Sequence, residues 1–175
     1  MDGETENREN AIVISYIQGA GNRKETMNKT PINSEMAIGA QPTVDALKQL
    51  KEEGFRSIIN LRRPDEPSPL NPEQEAQVVR TLGMEYQHIP VSPQTLSVDQ
   101  AEKFDQVMRT LPKPVFVHCQ GGTRAGAFSL MHLGREKGWT GEQAFQEGEK
   151  VGFKCESPAL KQFVSSQLDR SGKPS

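Results

Sequence analysis

The run Val115-Phe-Val-His-Cys-Gln-Gly-Gly-Thr-Arg-Ala125 constrains the architecture of this chain more than any other stretch. Val115 to Val117 suits a short buried strand, which ends at His118-Cys119. A glycine-rich turn follows, then an arginine, then a segment with helical spacing. Such a strand–loop–helix unit turns several backbone N–H groups and a helix N-terminus toward one small volume, which suits an anion. The thiolate of Cys119 is itself an anion suited to that field. Arg124 adds a planar, two-pronged donor for a tetrahedral oxyanion. A lone cysteine ending an apolar strand is more often an inert core residue. Two adjacent glycines and an arginine just before a helix shift the balance toward a nucleophile.

The rest of the chain supplies a setting for that unit. Met36-Ala-Ile38, Phe55–Leu61 and Met84–Val91 are expected strands. Helices are expected from Thr43 to about Glu53, from Asn71-Pro-Glu-Gln74, and from Ser97-Val-Asp-Gln100 to about Leu111, each opened by a capping residue. Further helices are expected from Arg124 to about Lys137, from Thr140, and from Ser157-Pro158. Strand and helix alternate, so the expected fold class is α/β, with a mostly parallel sheet of four to five strands and helices on both faces. Residues 18–34 read as a loop, and Ala11–Ile17 as an extra strand, a short helix or a tail. The expected division is therefore a tail or linker over 1–31 and one domain over 32–170.

In such a sheet, loops at the carboxyl ends of the strands line the ligand crevice. The loop Arg62-Arg-Pro-Asp-Glu-Pro-Ser-Pro-Leu70 is expected to share that edge with the cysteine loop, its three prolines giving it a shaped, semi-rigid course. Any one of its charges is more simply a solvated surface group, but the cluster beside a nucleophile is suggestive.

The chain has 21 basic and 23 acidic residues, a formal charge of −2 and no run of like charge, which argues against a nucleic-acid surface or a membrane-binding patch. Two distant cysteines, Cys119 and Cys155, make no disulfide framework and fit a reducing compartment. Cys155 reads as core filler, with protection or regulation of Cys119 as the alternative. The acid-leaning start lacks an export signal, so a cytoplasmic location is expected. Three scattered histidines give no metal-ligand spacing, and neither a metal nor another cofactor is expected. Oligomeric state is not legible.

Four blocks, Ile38-Gly-Ala-Gln-Pro-Thr43, Gly54–Arg62, His88-Ile-Pro-Val91 and His118-Cys-Gln-Gly-Gly-Thr-Arg124, together resemble the bacterial beta-lactamase hydrolase-like (DUF442) phosphatase domain. That family lies within the cysteine-dependent dual-specificity and tyrosine phosphatases, and the resemblance covers about residues 32–137. It implies a phosphoric monoester hydrolase acting through a thiophosphoryl intermediate on Cys119. Arg124 and the N–H groups of Gln120, Gly121, Gly122, Thr123 and Arg124 would hold the equatorial oxygens. His118, counted with the substrate-binding set, would shape the loop and support the thiolate rather than act as a base.

Three departures stand out. Only four residues separate Cys119 from Arg124, against five in the phosphatase signature. Ala125 stands where many phosphatases carry a hydroxyl residue. The usual general-acid aspartate is missing from Val91-Ser-Pro-Gln94, which leaves Asp65 as the substitute, with Glu66 and Asp99 behind it. The short loop also resembles that of rhodanese-type sulfurtransferases, where the cysteine carries a persulfide. A phosphate-binding module with weak turnover is the remaining alternative.

Overall fold

The structure is a computed structural model, which describes residues 27–171 and, before them, 8, 11, 13–15 and 17–19. A five-stranded sheet is built from β1 (Lys29–Asn33), β2 (Met36–Gly39), β3 (Ser57–Asn60), β4 (Glu85–His88) and β5 (Val115–His118), in the order β1-β2-β5-β3-β4. β2, β5, β3 and β4 run parallel; β1 pairs antiparallel with β2. Between and after the strands lie α1 (Val44–Glu52), α2 (Pro72–Thr81), α3 (Val98–Thr110), α4 (Thr123–Lys137), α5 (Gly141–Lys150) and α6 (Pro158–Ser171).

The expected α/β class is what the chain adopts. Strand residues alternate between two apolar layers, as the two-residue period of a strand requires. Met36, Ile38, Ile59, Val115 and Val117 join Phe104, Phe128 and Leu168 of α3, α4 and α6. Ala37, Ile58, Tyr86 and Phe116 face the other way and join Leu47 and Leu50 of α1 and Val78 and Val79 of α2. Both faces are covered, which is why β5 reads as an unbroken apolar run.

The helix starts follow from their caps. Thr43 Oγ1 accepts from Ala46 N at 3.1 Å, and Asn71, Ser97 and Thr140 each form a reciprocal capping box. α4 is the exception: Gly122 precedes it at φ 100° and offers no side-chain cap. Its first N–H groups are thereby left for something else.

Two expectations change. Residues 18–34 were expected to be a loop, yet 29–33 form β1. An edge strand needs no apolar run, and Pro31 costs least there because an edge position leaves its missing donor unneeded. Strands β3 and β4 are shorter than expected, although pairing persists past their ends through Leu61 N to His118 O (2.8 Å) and Val91 N to Leu61 O (3.0 Å). The expected tail over 1–31 lies mostly outside the described residues. Those described between 8 and 19 are helical, and Val13 is buried against the layer of Leu47 and Leu50. Among the described residues, no helix is long and apolar enough to cross a membrane.

Candidate active site

The parallel register sets Gly39, His118, Asn60 and His88 in one row across the sheet. The segments leaving that row are Ala40–Thr43, the cysteine loop, Leu61–Asn71 and Ile89–Ser97, so all four emerge at one carboxyl edge. Arg62–Leu70 and the cysteine loop therefore share an edge, as the alternation implied.

Cys119 is 1% exposed, and its Sγ accepts the Gly122 N–H at 3.1 Å. The bond depends on Gly122 adopting a positive φ, which a residue with a Cβ rarely does. A backbone donor thus sits on the sulfur at the uncapped start of α4, where the helix dipole also favours negative charge. The Gln120 carbonyl accepts from Gln41 N at 3.2 Å, which ties the loop to the segment after β2. Gln120 and Gly121 are exposed, and Thr123 is half-buried on the first turn of α4.

Arg124 follows on that turn and is 9% exposed. Its Nη1 donates to Val91 O at 2.9 Å and to Glu66 Oε2 at 2.8 Å, while Nη2 donates to Glu66 Oε1 at 2.5 Å. Burial works against the guanidinium charge, but the Glu66 hydrogen bonds and the charge of the Cys119 sulfur outweigh it and raise its pKa further. The hydrogen bond from Arg124 holds Glu66 below the usual carboxylate range against the opposing effect of burial, and the Arg63 N–H, 2.5 Å from Oε2, adds to it.

The Arg62–Leu70 loop is braced from within. Arg62 is fully buried, with Nη2 donating to Leu70 O at 2.8 Å and its N–H to Asn60 Oδ1 at 2.8 Å. His88 Nε2 meets the Arg62 carbonyl at 2.6 Å. These contacts pin both ends of the loop and aim Glu66 inward.

Asp65, expected to be the acid, faces solvent. Its side chain is 72% exposed and pairs with Arg63 Nε at 3.0 Å, because the turn that directs Glu66 inward directs its neighbour outward. Asp99 is also exposed, in the first turn of α3. His118 corrects the substrate-binding set. Its ring is fully buried, stacks on Phe116, and contacts Glu75 rather than lying on the loop surface. Ala125 is buried in the core. Cys155 is 3% exposed, and burial pushes its thiol pKa up, as suits core filler.

Two residues in contact with the cysteine loop or its histidine have no role in the sequence reading. Gln41 lay within a recognised block but carried no assigned role. Glu75 had a visible signal: it lies three and four residues before Val78 and Val79, so it is a carboxylate on the apolar face of α2.

The chain is similar in sequence and in fold to known proteins. The beta-lactamase hydrolase-like protein of Agrobacterium fabrum is 41% identical over 101 residues, which are 57% of this chain and 23% of that protein. The chain thus spans about a quarter of that curated relative's length. A putative DUF442 phosphatase from Shewanella putrefaciens superposes with a TM-score of 0.67 at 22% identity, covering 91% of this chain and 99% of that one. PTPMT1, solved in complex with PI(5)P, gives a TM-score of 0.69 at 17% identity over 81% of this chain and 95% of its own. These two likenesses establish the cysteine-phosphatase fold. Residues 11–157 match the family described as DSP-PTPase phosphatase fused to NAD+ kinase, and the chain belongs to that family.

Proposed function

We propose that the chain is a cysteine-dependent phosphatase that hydrolyses a phosphate monoester through a thiophosphoryl intermediate on Cys119. The observation that carries this reading is the Gly122 N–H resting on Cys119 Sγ at 3.1 Å, with Arg124 one turn away and already oriented. In the first step the sulfur attacks phosphorus, an S–P bond forms, and the ester P–O bond breaks. The three equatorial oxygens gain charge-assisted bonds from Arg124 and from the loop N–H groups, strongest as charge spreads in the transition state. In the second step water attacks phosphorus, the S–P bond breaks, and inorganic phosphate leaves.

The leaving oxygen must take up a proton, and neither acidic residue of the Arg62–Leu70 loop is set to donate one. Asp65 faces solvent, and Glu66 is held ionised by Arg124. The enzyme should therefore favour substrates whose leaving group departs as a stable anion. Aryl phosphates are expected to turn over about 10²–10⁴-fold faster than alkyl phosphates, the span that a positioned acid normally supplies.

The test sets aryl phosphate hydrolysis beside thiosulfate-to-cyanide sulfur transfer in wild type, Cys119→Ser and Arg124→Ala. Hydrolysis lost in both variants is the expected result. Sulfur transfer that is faster and equally dependent on Cys119 would replace this reading with a persulfide mechanism. Neither activity, together with protection of Cys119 from alkylation by vanadate, would leave a phosphate-binding module.

A further inference from the structure

A buried polar chain beneath the cysteine loop takes no direct part in the reaction outlined above. Glu75 on α2 is 0% exposed, although the helix face around it buries Ala76, Val78 and Val79. One of its oxygens meets His118 Nε2, and the other accepts from Gln41 Nε2 at 3.0 Å. His118 directly precedes the nucleophile, and its Nδ1 lies 3.4 Å from the Cys119 carbonyl oxygen. Gln41 donates its backbone N–H to the carbonyl of Gln120, the residue directly after the nucleophile. Glu75 therefore grips the loop on both sides of Cys119, through one intermediary each.

A backbone carbonyl can only accept, and so can an ionised carboxylate. With Glu75 ionised, a ring between the Cys119 carbonyl and that carboxylate donates from both nitrogens, and an imidazole with two N–H groups is an imidazolium. A positive charge then lies one residue before the thiolate. A fully buried carboxylate is costly to desolvate and is tolerated only when paired and hydrogen-bonded. Here both of those partners are groups that hold the nucleophile loop.

The charged groups around the pair come from several elements. On the loop side are Cys119 itself and Arg124 with Glu66. On the α2–β4 side, Tyr86 faces Glu75 and is in turn acted on by Arg62 and Arg80, while its hydroxyl accepts from Asn60 Nδ2 at 3.0 Å.

We propose that Glu75 is a positioning residue of this site, holding the second proton on His118 and fixing the cysteine loop through His118 and Gln41. The inference rests on Cys119 being the nucleophile, and its test reads the thiol itself. Iodoacetamide alkylation of Cys119, followed by mass spectrometry across pH, is compared between wild type and Glu75→Gln, with kcat and KM for an aryl phosphate measured alongside. Loss of the imidazolium should slow alkylation about tenfold at pH ~6, with the two rates converging at high pH, the signature of a thiolate that has lost a neighbouring positive charge. The kcat should fall in parallel, while KM changes by less than about twofold because Arg124 is untouched.

An alkylation profile and kcat equal to wild type would overturn the proposal, whatever happens to the melting temperature. If Glu75→Gln does not fold, nitrogen NMR of the His118 ring in the wild-type chain decides. Two protonated ring nitrogens at neutral pH are expected, and one bare nitrogen would overturn the proposal. A shifted alkylation profile in a chain that hydrolyses no phosphate ester would support the role of Glu75 and reject the phosphatase assignment.

Discussion

Glu66 meets Arg124 with both carboxylate oxygens, at 2.8 and 2.5 Å, across the crevice between the β3 loop and the start of α4. The pair is 14% and 11% exposed at its side chains, so water screens it little. A bidentate pair fixes the plane of the guanidinium as well as its position. Arg124 is thereby oriented before any phosphate arrives, and the ordering cost is not charged to binding.

Removing that orientation should weaken the transition state without removing the nucleophile. Glu66→Gln is expected to lower kcat/KM for an aryl phosphate about tenfold, the loss of one charge-assisted contact. Asp65→Asn, altered one residue away on the exposed side of the turn, should stay within about twofold of wild type, as surface substitutions usually do. Steady-state kinetics on the two variants check both statements. A larger loss in Asp65→Asn would return that residue to the mechanism.

A second prediction concerns stability. Asp105 of α3 accepts from His132 Nδ1 at 2.9 Å and from Arg135 Nη1, both on α4, and Arg135 Nη2 reaches Gln167 of α6 at 2.8 Å. Burial pushes the Asp105 carboxyl upward, but the His132 and Arg135 hydrogen bonds outweigh it and hold its pKa below the ordinary 3.8. Asp105→Asn should cost about 1–3 kcal/mol at neutral pH, because Arg135 loses its counter-charge in a mostly buried setting. A group whose folded-state pKa is depressed stabilises above its unfolded value. The urea-midpoint gap between wild type and variant should therefore narrow as pH falls below 3.8.

A third prediction isolates packing behind the site. Gly126 lies on α4 two residues after Arg124, and a Cβ there would come within 2.2 Å of the Phe153 ring. Alanine is the better helix former by about 1 kcal/mol, so propensity alone favours Gly126→Ala. Overpacking should win, for a net loss of about 1–3 kcal/mol in thermal or urea unfolding. Adding Phe153→Leu should restore part of it. If Gly126→Ala is stabilising on its own, the ring yields freely and the contact does not constrain α4.

These residues also mark how far the sequence alone could be read. The strands were legible because Val115–Val117 and Ile58-Ile59 are covered on both faces and so read as apolar runs. Helix starts were legible because Thr43, Asn71, Ser97 and Thr140 are caps with a local hydrogen-bond logic. β1 was not, since an antiparallel edge strand of half-exposed residues has no period to betray it. In the site, Cys119 and Arg124 could be found because their chemistry is local to one loop. The choice between Asp65 and Glu66 could not, because it depends on which side of a turn each faces. Glu75 acts across 43 residues of sequence, and only the folded contact with His118 gives its carboxylate a purpose.

The claim that Cys119 itself accepts the phosphoryl group is tested most directly by trapping. Wild-type chain mixed with an aryl phosphate and quenched in acid within a single turnover should yield a Cys119 peptide carrying one phosphoryl group. That adduct should be absent from Cys119→Ser and should accumulate more slowly in Arg124→Ala. An unmodified Cys119 peptide during active hydrolysis, or phosphate released at the wild-type rate by Cys119→Ser, would contradict the account.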